Sequence, residues 1–461
     1  MQSEKDRLVN DLYGRFSWYG ILRARLRGFL GKTIWLFLVP GAEFLKWTTD
    51  LLFALFFILL LVPVILIILC YLKGAGYPVI SRTNRLGRFC EPFNEFSFFV
   101  PATFLGSLMR KLSLNRIPVL LNILNGDMSL VGPRAILPEE LTPTEFRNRR
   151  RFDVKPGLIC LWWIRSRANI NFEKEHESDA EYVEKSGLLT DIGIALRAVP
   201  AVFYGEAVCE APEKVKILGI PIDNLTMTEA VDKIISYVKS SEPARISFLN
   251  ADCANISARD DEYFRALATS DFVFADGIGL KLAGKILSRQ IKQNVNGTDL
   301  FPRILEKLAA RNAGIFLFGG RPGVPEAVET WIKATYPGIR IDGVENGYHT
   351  PDEENEIIRE IAKKKTDVLF LAKGAPFQEK WLYQHFNETK AKLGMGVGGL
   401  FDFYSGRIQR APLWVREIGM EWLFRFYQEP GRLWKRYFIG NGVFLFRVLL
   451  EKVGLWNSFD L

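Results

Sequence analysis

Histidine is nearly missing from this chain: 461 residues hold three, His176, His349 and His385, far apart from one another. That scarcity excludes a histidine metal centre, which draws three or four clustered ligands. Cysteine offers no substitute. Cys70, Cys90, Cys160, Cys209 and Cys253 are scattered, odd in number and never in Cys-x-x-Cys spacing. Neither a zinc site nor a disulfide framework is expected, and the chain reads as one that faces a reducing compartment. Repeats and low-complexity tracts are absent as well, which removes solenoids from consideration. The net charge is +8, yet no compact Lys/Arg stripe occurs outside the flanks of one apolar run, so nucleic acid is not an expected partner.

That apolar run is the first thing present in excess. From Leu51 to Leu72 no residue is charged, and the run is closed by Asp50 and Lys73. As a helix it would reach about 30 Å, one hydrocarbon thickness. It starts late and no small-residue cleavage site follows, so a cleaved signal peptide is not expected. Arg7, Arg15, Arg23, Arg25, Arg27, Lys32 and Lys46 precede it, and Lys73, Arg82, Arg85 and Arg88 follow. Basic flanks on both sides, with Pro63 mid-run, predict a helix that enters the membrane and returns rather than one that spans it. Residues 1–45 mix Arg with Trp, Phe and Leu, as amphipathic segments at a lipid interface or against protein do. A membrane element at 46–75, a small α/β domain at 76–205 and a Pro- and Glu-bearing linker at 206–215 follow.

Beyond the linker, apolar runs of strand length alternate with helical patterns: Lys216 to Ile220, Arg245 to Leu249, Phe272 to Ala275, Ile315 to Phe318, Ile339 to Ile341, Val368 to Ala372 and Leu393 to Val397. Alternating β and α units predict a mostly parallel, Rossmann-like sheet over 216–437, with an amphipathic tail at 438–461. The last two runs lead into Gly374-Ala375-Pro376-Phe377-Gln378-Glu379-Lys380-Trp381 and Gly396-Val397-Gly398-Gly399-Leu400-Phe401-Asp402. Small residues at the carboxyl ends of parallel strands let a phosphate approach backbone N–H groups, so these strings predict a nucleotide crevice.

Within 76–205, Asn125-Gly126-Asp127-Met128-Ser129-Leu130-Val131-Gly132-Pro133-Arg134, then Val154-Lys155-Pro156-Gly157 and Asp179-Ala180-Glu181-Tyr182-Val183, resemble the bacterial sugar transferases, the monotopic phosphoglycosyl transferases. The resemblance covers about 46–204 and implies a re-entrant membrane helix. Members of that family use an Asp-Glu pair just before the Gly-Asp-Met-Ser block, where the Asp attacks phosphorus. Here Asn115-Arg116 occupies the place. A carboxamide is a poor nucleophile and a guanidinium neither accepts a proton nor binds magnesium, so this half is expected to anchor without catalysing. Glu95-Phe96-Ser97-Phe98-Phe99 stands where the family tends to have Lys-Phe-Arg-Thr-Met. Arg134 and Lys155 remain as candidates for holding a phosphate.

The two glycine strings, with Gly219-Ile220-Pro221-Ile222-Asp223, Leu249-Asn250-Ala251-Asp252, Phe274-Ala275-Asp276-Gly277, Asn296-Gly297-Thr298-Asp299-Leu300 and Arg410-Ala411-Pro412, resemble the WecG/TagA/CpsF glycosyltransferases over about 216–437. The resemblance implies inverting transfer of a sugar from a UDP-sugar to a polyprenyl-diphosphate-linked saccharide on the cytoplasmic face of the inner membrane. It matches Asp276 to the catalytic base. An inverting transfer needs such a base and a holder for the departing diphosphate. Asp276 ends a strand where a carboxylate meets a ligand, although it could equally cap the next helix. Asn250 and Asp252 end another strand and are either ligand contacts or caps. Gln378 is the expected direct ligand contact, Glu379 and Lys380 part of a polar helix face. Gly277, Thr298, Gly319, Gly320, Gly396, Gly398, Gly399, Asp402 and Arg410 complete the candidate binding set. Phe248 and Asn294 replace a Thr and an Arg of some relatives, which bears on substrate identity.

No Asp-x-Asp occurs, so no metal or cofactor is expected and cations must hold the diphosphate. Arg410, Arg416, Arg425, Arg432, Lys435 and Arg436, interleaved with aromatic residues, also suit a lipid surface. Three other readings compete. Gly394-x-Gly396-x-x-Gly399 spells a dinucleotide fingerprint, but Pro412 and the run Phe401 to Ile408 are expected to interrupt the helix it requires. A bifunctional enzyme active in both halves and a non-catalytic membrane scaffold are the others.

Overall fold

A computed structural model describes residues 18–141, 149–167, 175–204, 211–240 and 242–456. It divides into two compact units, Met1–Glu206 and Ala207–Leu461. Residues 1–17, the first half of the expected linker at 206–215 and the end of the tail at 457–461 lie outside the described residues, as do the side chains of 18–40.

In the first unit one helix runs from Trp18 to Gly74. It joins the segments expected at 1–45 and 46–75 and passes through Pro63 without interruption. A proline removes one backbone hydrogen bond, which a long apolar helix tolerates. Glu43–Gly74 is the stretch long and apolar enough to cross a membrane, and little of it is covered by protein. Leu52, Phe56, Leu59, Leu60 and Ile67 face outward, whereas Ala54, Ile68 and Leu72 pack on Val119, Leu120 and Ile123. Polar contacts tie both ends to the same body. Lys46 Nζ meets Asp191 at 2.7 Å and Asp50 accepts from Ser129 Oγ at 2.7 Å, while Tyr71 and Thr103 share a 2.8 Å hydroxyl contact. Antiparallel strands β1 (Ile80–Leu86) and β2 (Pro92–Phe98) and parallel strands β3 (Ser129–Val131) and β4 (Gly157–Ile159) make two small sheets. Gly126, at φ 82°, ends the helix Val119–Asn125 and turns the chain into β3.

The second unit opens on a hairpin, β5 (Lys214–Ile217) and β6 (Ile220–Asp223), where a single strand over Lys216 to Ile220 was expected. Leu218 and Gly219 both take positive φ there, the backbone of a tight hairpin turn. Six parallel strands follow: β7 (Ala244–Leu249), β8 (Phe272–Ala275), β9 (Gly314–Gly319), β10 (Arg340–Glu345), β11 (Val368–Ala372) and β12 (Leu393–Gly396), in the order β10-β9-β11-β12-β7-β8. The inner strands are largely apolar, broken by a side chain of another kind only at Arg245 and Ser247 in β7, because helices bury both faces. The expected helix through Arg259 and Phe264 is two, Ala251–Ser257 and Asp261–Ala268, because Asp260 accepts from Tyr263 N and starts a new helix.

Strand order fixes where a ligand can sit. From β9 the chain moves outward to β10, and from β11 it moves the other way, to β12. Neighbouring strands whose connections leave in opposite directions open a crevice at their carboxyl ends. The β9/β11 boundary is such a point.

Candidate active site

A cavity of about 930 Å³ lies at that boundary, lined by Gly320 after β9, by Ala372, Lys373 and Gly374 at the end of β11, and by Gly398 and Gly399 after β12. Gly319 permits the close approach: its φ is +125°, and a Cβ there would stand 2.5 Å from the Ala372 backbone. Trp381, His349 and His385 also line the cavity, as does Asp402, which holds Arg407 at 2.7 Å. Sequence reasoning missed the first three: Trp381 and His385 share a face of the helix Phe377–Thr389, and His349 comes from a distant loop. Lys373 pairs with Glu354 and stands 4.6 Å over the Phe318 ring.

The two glycine strings meet through one side chain. Gln378 was expected to touch ligand. It is instead 5 % exposed, and its Oε1 accepts from Gly374 N at 3.1 Å and Gly398 N at 2.8 Å, while its Nε2 donates to Glu379 Oε1 at 2.7 Å. Gly396 makes room for it, since a Cβ there would stand 3.1 Å from the carboxamide. Glu379 belongs to no polar helix face: it is 2 % exposed, and burial pushes its carboxyl up to about 7. Lys380 does lie outward and pairs with Asp260 and Glu262.

At the other end of the carboxyl edge stands Asp276, directly after β8. It does not cap the next helix, whose N-cap is Gly277, at φ 94° with open space where a Cβ would be. Gly277 N donates to Asn294 Oδ1 at 2.6 Å, which sets the turn. Of the two roles weighed for it, Asn250 fills the cap: its Oδ1 accepts from Asp252 N and Cys253 N at the start of the helix Ala251–Ser257, and its side chain also favours the ionised form of Asp276. Burial pushes Asp276 up to about 6 against the opposing pull of Arg436 and Arg425. A carboxylate so placed is ionised at neutral pH and still basic enough to take a proton.

The Arg-rich segment 410–436 divides into paired and open cations. Arg410 is held by Asp299 and by Glu421, so the structure commits it to protein carboxylates and not to a ligand. Asp299 owes its place to Asn296, the N-cap of the helix Gly297–Ala309. Thr298, in that first turn, takes the Tyr404 hydroxyl on its carbonyl at 2.7 Å. Arg436 reaches Asp252 at 3.2 Å. Arg425 reaches both ends of the site: its charge acts on Asp276, and its Nη2 lies 3.1 Å from where a Gly399 Cβ would be. Its Nε is buried and makes no hydrogen bond. A five-residue helix, Leu400–Tyr404, does follow the last glycines, where an interruption was expected. It is too short for the dinucleotide fingerprint, and among the described residues no strand follows β12 to carry the acidic residue. Among the described residues no group of three His, Cys, Asp or Glu is placed to hold a metal.

In the first unit, Arg116 stands 3.5 Å from Glu95, which Arg85 also binds at 2.9 Å. Arg134 is bracketed by Glu140 and Glu175 at 2.9 and 2.8 Å, so it is not open to a phosphate. Lys155 extends over Gly126, its Nζ 3.5 Å from the position of a Cβ there.

Two family models match the chain. Residues 215–458 match the glycosyl transferase WecG/TagA/CpsF family, and residues 101–205 match the bacterial sugar transferase family. Among similar proteins, an N-acetylglucosaminyldiphosphoundecaprenol N-acetyl-beta-D-mannosaminyltransferase of Bacillus subtilis is 31% identical over 221 residues, 48% of this chain and 85% of that protein. Proteins of the same description from Bacillus spizizenii and Staphylococcus aureus are 28% and 29% identical over 201 and 214 residues, covering 44% and 46% of this chain and 77% and 84% of theirs.

Proposed function

Because the chain belongs to the glycosyl transferase WecG/TagA/CpsF family, it is a hexosyltransferase, and we propose that it moves an N-acetylhexosamine or uronic acid from a UDP-sugar to a saccharide on polyprenyl diphosphate. The setting is exopolysaccharide or other cell-envelope glycan synthesis at the cytoplasmic face of the bacterial inner membrane. The observation that carries this reading is the pairing of Asp276, open at Gly277, with a glycine-lined cavity along one sheet edge. From β8 to the β9/β11 boundary is three to four strand spacings, about 17 Å, which accommodates a nucleoside, a diphosphate and a hexose in a row.

In this arrangement uridine occupies the cavity, the diphosphate lies beside Gly399 and Arg425, and the sugar faces Asp276. The acceptor hydroxyl attacks the anomeric carbon opposite the diphosphate. Asp276 takes its proton, the bond from that carbon to the phosphate oxygen breaks, and UDP leaves with the electron pair, its charge met by Arg425. Attack from the opposite face inverts the centre. Asn250 helps keep that carboxylate ionised.

The membrane reading rests on the Glu43–Gly74 helix. Asp50 and Tyr71, 21 residues apart, both bond to the same body, which supports a helix held along its own unit; the return expected at Pro63 finds no break in the helix to support it. Phe438, Ile439, Phe446 and Leu449 are exposed near Arg432 and Lys435, a composition suited to lipid. In the bacterial sugar transferase half, Asn115 and the Arg116–Glu95–Arg85 ion cluster supply no nucleophile, so this half serves as an anchor.

One assay tests these statements. Purified protein in detergent is given UDP-sugars with either polyprenyl phosphate or a polyprenyl-diphosphate saccharide, and the released nucleotide is identified. UDP with the second acceptor alone is expected. UMP with the first would mean a working N-terminal half, and no release across donors and acceptors would favour a scaffold.

A further inference from the structure

The interior behind the cavity contains one carboxylate that the transfer chemistry does not use. Glu379 lies in the first turn of the helix Phe377–Thr389, is 2 % exposed, and has one oxygen, Oε2, that makes no hydrogen bond. An unpaired oxygen on a buried carboxylate is costly, and a glutamine would fill the position without a charge. Such a departure from good packing marks a residue kept for what it does to its neighbours.

Its bonded oxygen, Oε1, accepts from Gln378 Nε2 at 2.7 Å. The opposite end of that carboxamide holds Gly374 N and Gly398 N. Both glycines line the cavity, one after β11 and one after β12, and both take positive φ, 77° and 56°. Glycine backbone of this kind has wide conformational freedom and holds one shape only when bonded into it. A single oxygen therefore sets both loops. Without Glu379, Nε2 would be a buried donor with no acceptor, and the side chain would gain by turning toward water in the cavity.

We infer that Glu379 is a positioning residue for the donor nucleotide: by anchoring the Gln378 carboxamide it fixes the two glycine loops that line the cavity. This rests on the reading of that cavity as the nucleotide site. Glu379→Ala in the full-length protein removes the anchor, and Glu379→Gln keeps an oxygen able to accept from Nε2. Should the alanine variant fail to fold, Glu379→Met fills the volume without an acceptor.

Hydrogen exchange by mass spectrometry reads the amides of Gly374 and Gly398, calorimetry with UDP reads affinity, and steady-state kinetics separates KM from kcat. The alanine variant is expected to exchange faster at both glycines and to raise the UDP dissociation constant and donor KM by about tenfold, the effect of one charge-assisted hydrogen bond. Turnover at saturating donor should fall by less. The glutamine variant should stay within about threefold of wild type on every reading. Unchanged exchange overturns the inference, and so does faster exchange with unaltered affinity and KM, which would make the contact purely structural. Wild-type protein that binds UDP but turns over no UDP-sugar would sink the transfer reading and leave the exchange and affinity arms to decide this one. If it binds no UDP, both fall.

Discussion

Asp276→Asn is the perturbation that bears hardest on the proposed chemistry. The change keeps shape while removing the only property a base needs. A positioned general base is worth about 10²–10⁴ in rate, so kcat for UDP release should fall by that factor with donor KM little altered. The pH profile gives an independent reading. With its pKa pushed up to about 6, Asp276 is about 97% ionised at pH 7.5 and about 9% at pH 5. The ionised form is the active one, so kcat/KM of wild type should be level above neutrality and fall about tenfold per unit once pH drops below about 6. Arg436 and Arg425 favour the ionised form. Removing one, as in Arg436→Met, raises the pKa further and must move the acidic limb to higher pH. The assay is UDP release in detergent across pH 4.5 to 8.5. An asparagine variant retaining more than about a tenth of kcat, or a flat profile between pH 5 and 7, would refute the assignment.

Two further outcomes concern the frame of the site. Gly319→Ala places a Cβ 2.5 Å from the Ala372 backbone at a φ of +125°; a cost above about 3 kcal/mol and a thermal midpoint lower by about 10 °C are expected, and a shift under about 2 °C would show that the close approach is not needed. Asp299→Ala leaves Arg410 and Arg416 facing each other without the carboxylate that Arg410 binds; a loss of about 3 kcal/mol in denaturant unfolding is expected, with partial recovery when Arg410→Met is added, and no recovery would mean the loss comes from the helix start at Asn296.

The sheet was legible because buried parallel strands are written as unbroken apolar runs. Phe272–Ala275 and Val368–Ala372 came out with the bounds the sequence predicts. Small residues that change chain direction hid the rest. Leu218-Gly219 folds one expected strand into a hairpin, and Asp260 splits one expected helix in two. At the site, residue type was readable and burial was not. Asp276 and Asn250 stand where strand ends predict. Gln378 was expected to touch ligand and Glu379 to lie on a polar helix face, because the opening cut for the carboxamide by Gly396 is visible only once β11 and β12 lie side by side. Arg410 looked as available as Arg425 for the same reason. A carboxylate 111 positions away neutralises it, and linear sequence does not say which cation meets which acid.

That sorting of cations narrows how the departing diphosphate is held. Six basic residues between 410 and 436 were candidates. Arg410 is bonded by Asp299 and Glu421, Arg432 by Glu429 and Arg436 by Asp252. Arg416 sits 4.0 Å from Asp299, its own Nε also buried without a partner, and Lys435 is exposed. Arg425 is set apart by its surroundings. It stacks at 5.2 Å over Phe403 and presents its Nη2 beside Gly399, with its Nε buried and unpartnered. A guanidinium held by a ring and not by a carboxylate retains its donors for an anion in a fixed plane, the arrangement suited to two phosphate oxygens. The same charge favours ionised Asp276. In the proposed transfer, the attraction that Arg425 gives the Asp276 carboxylate is released when that group takes a proton, as negative charge appears on the departing diphosphate. Arg425 would then serve both ends of the transfer, and the C-terminal segment would belong to the site.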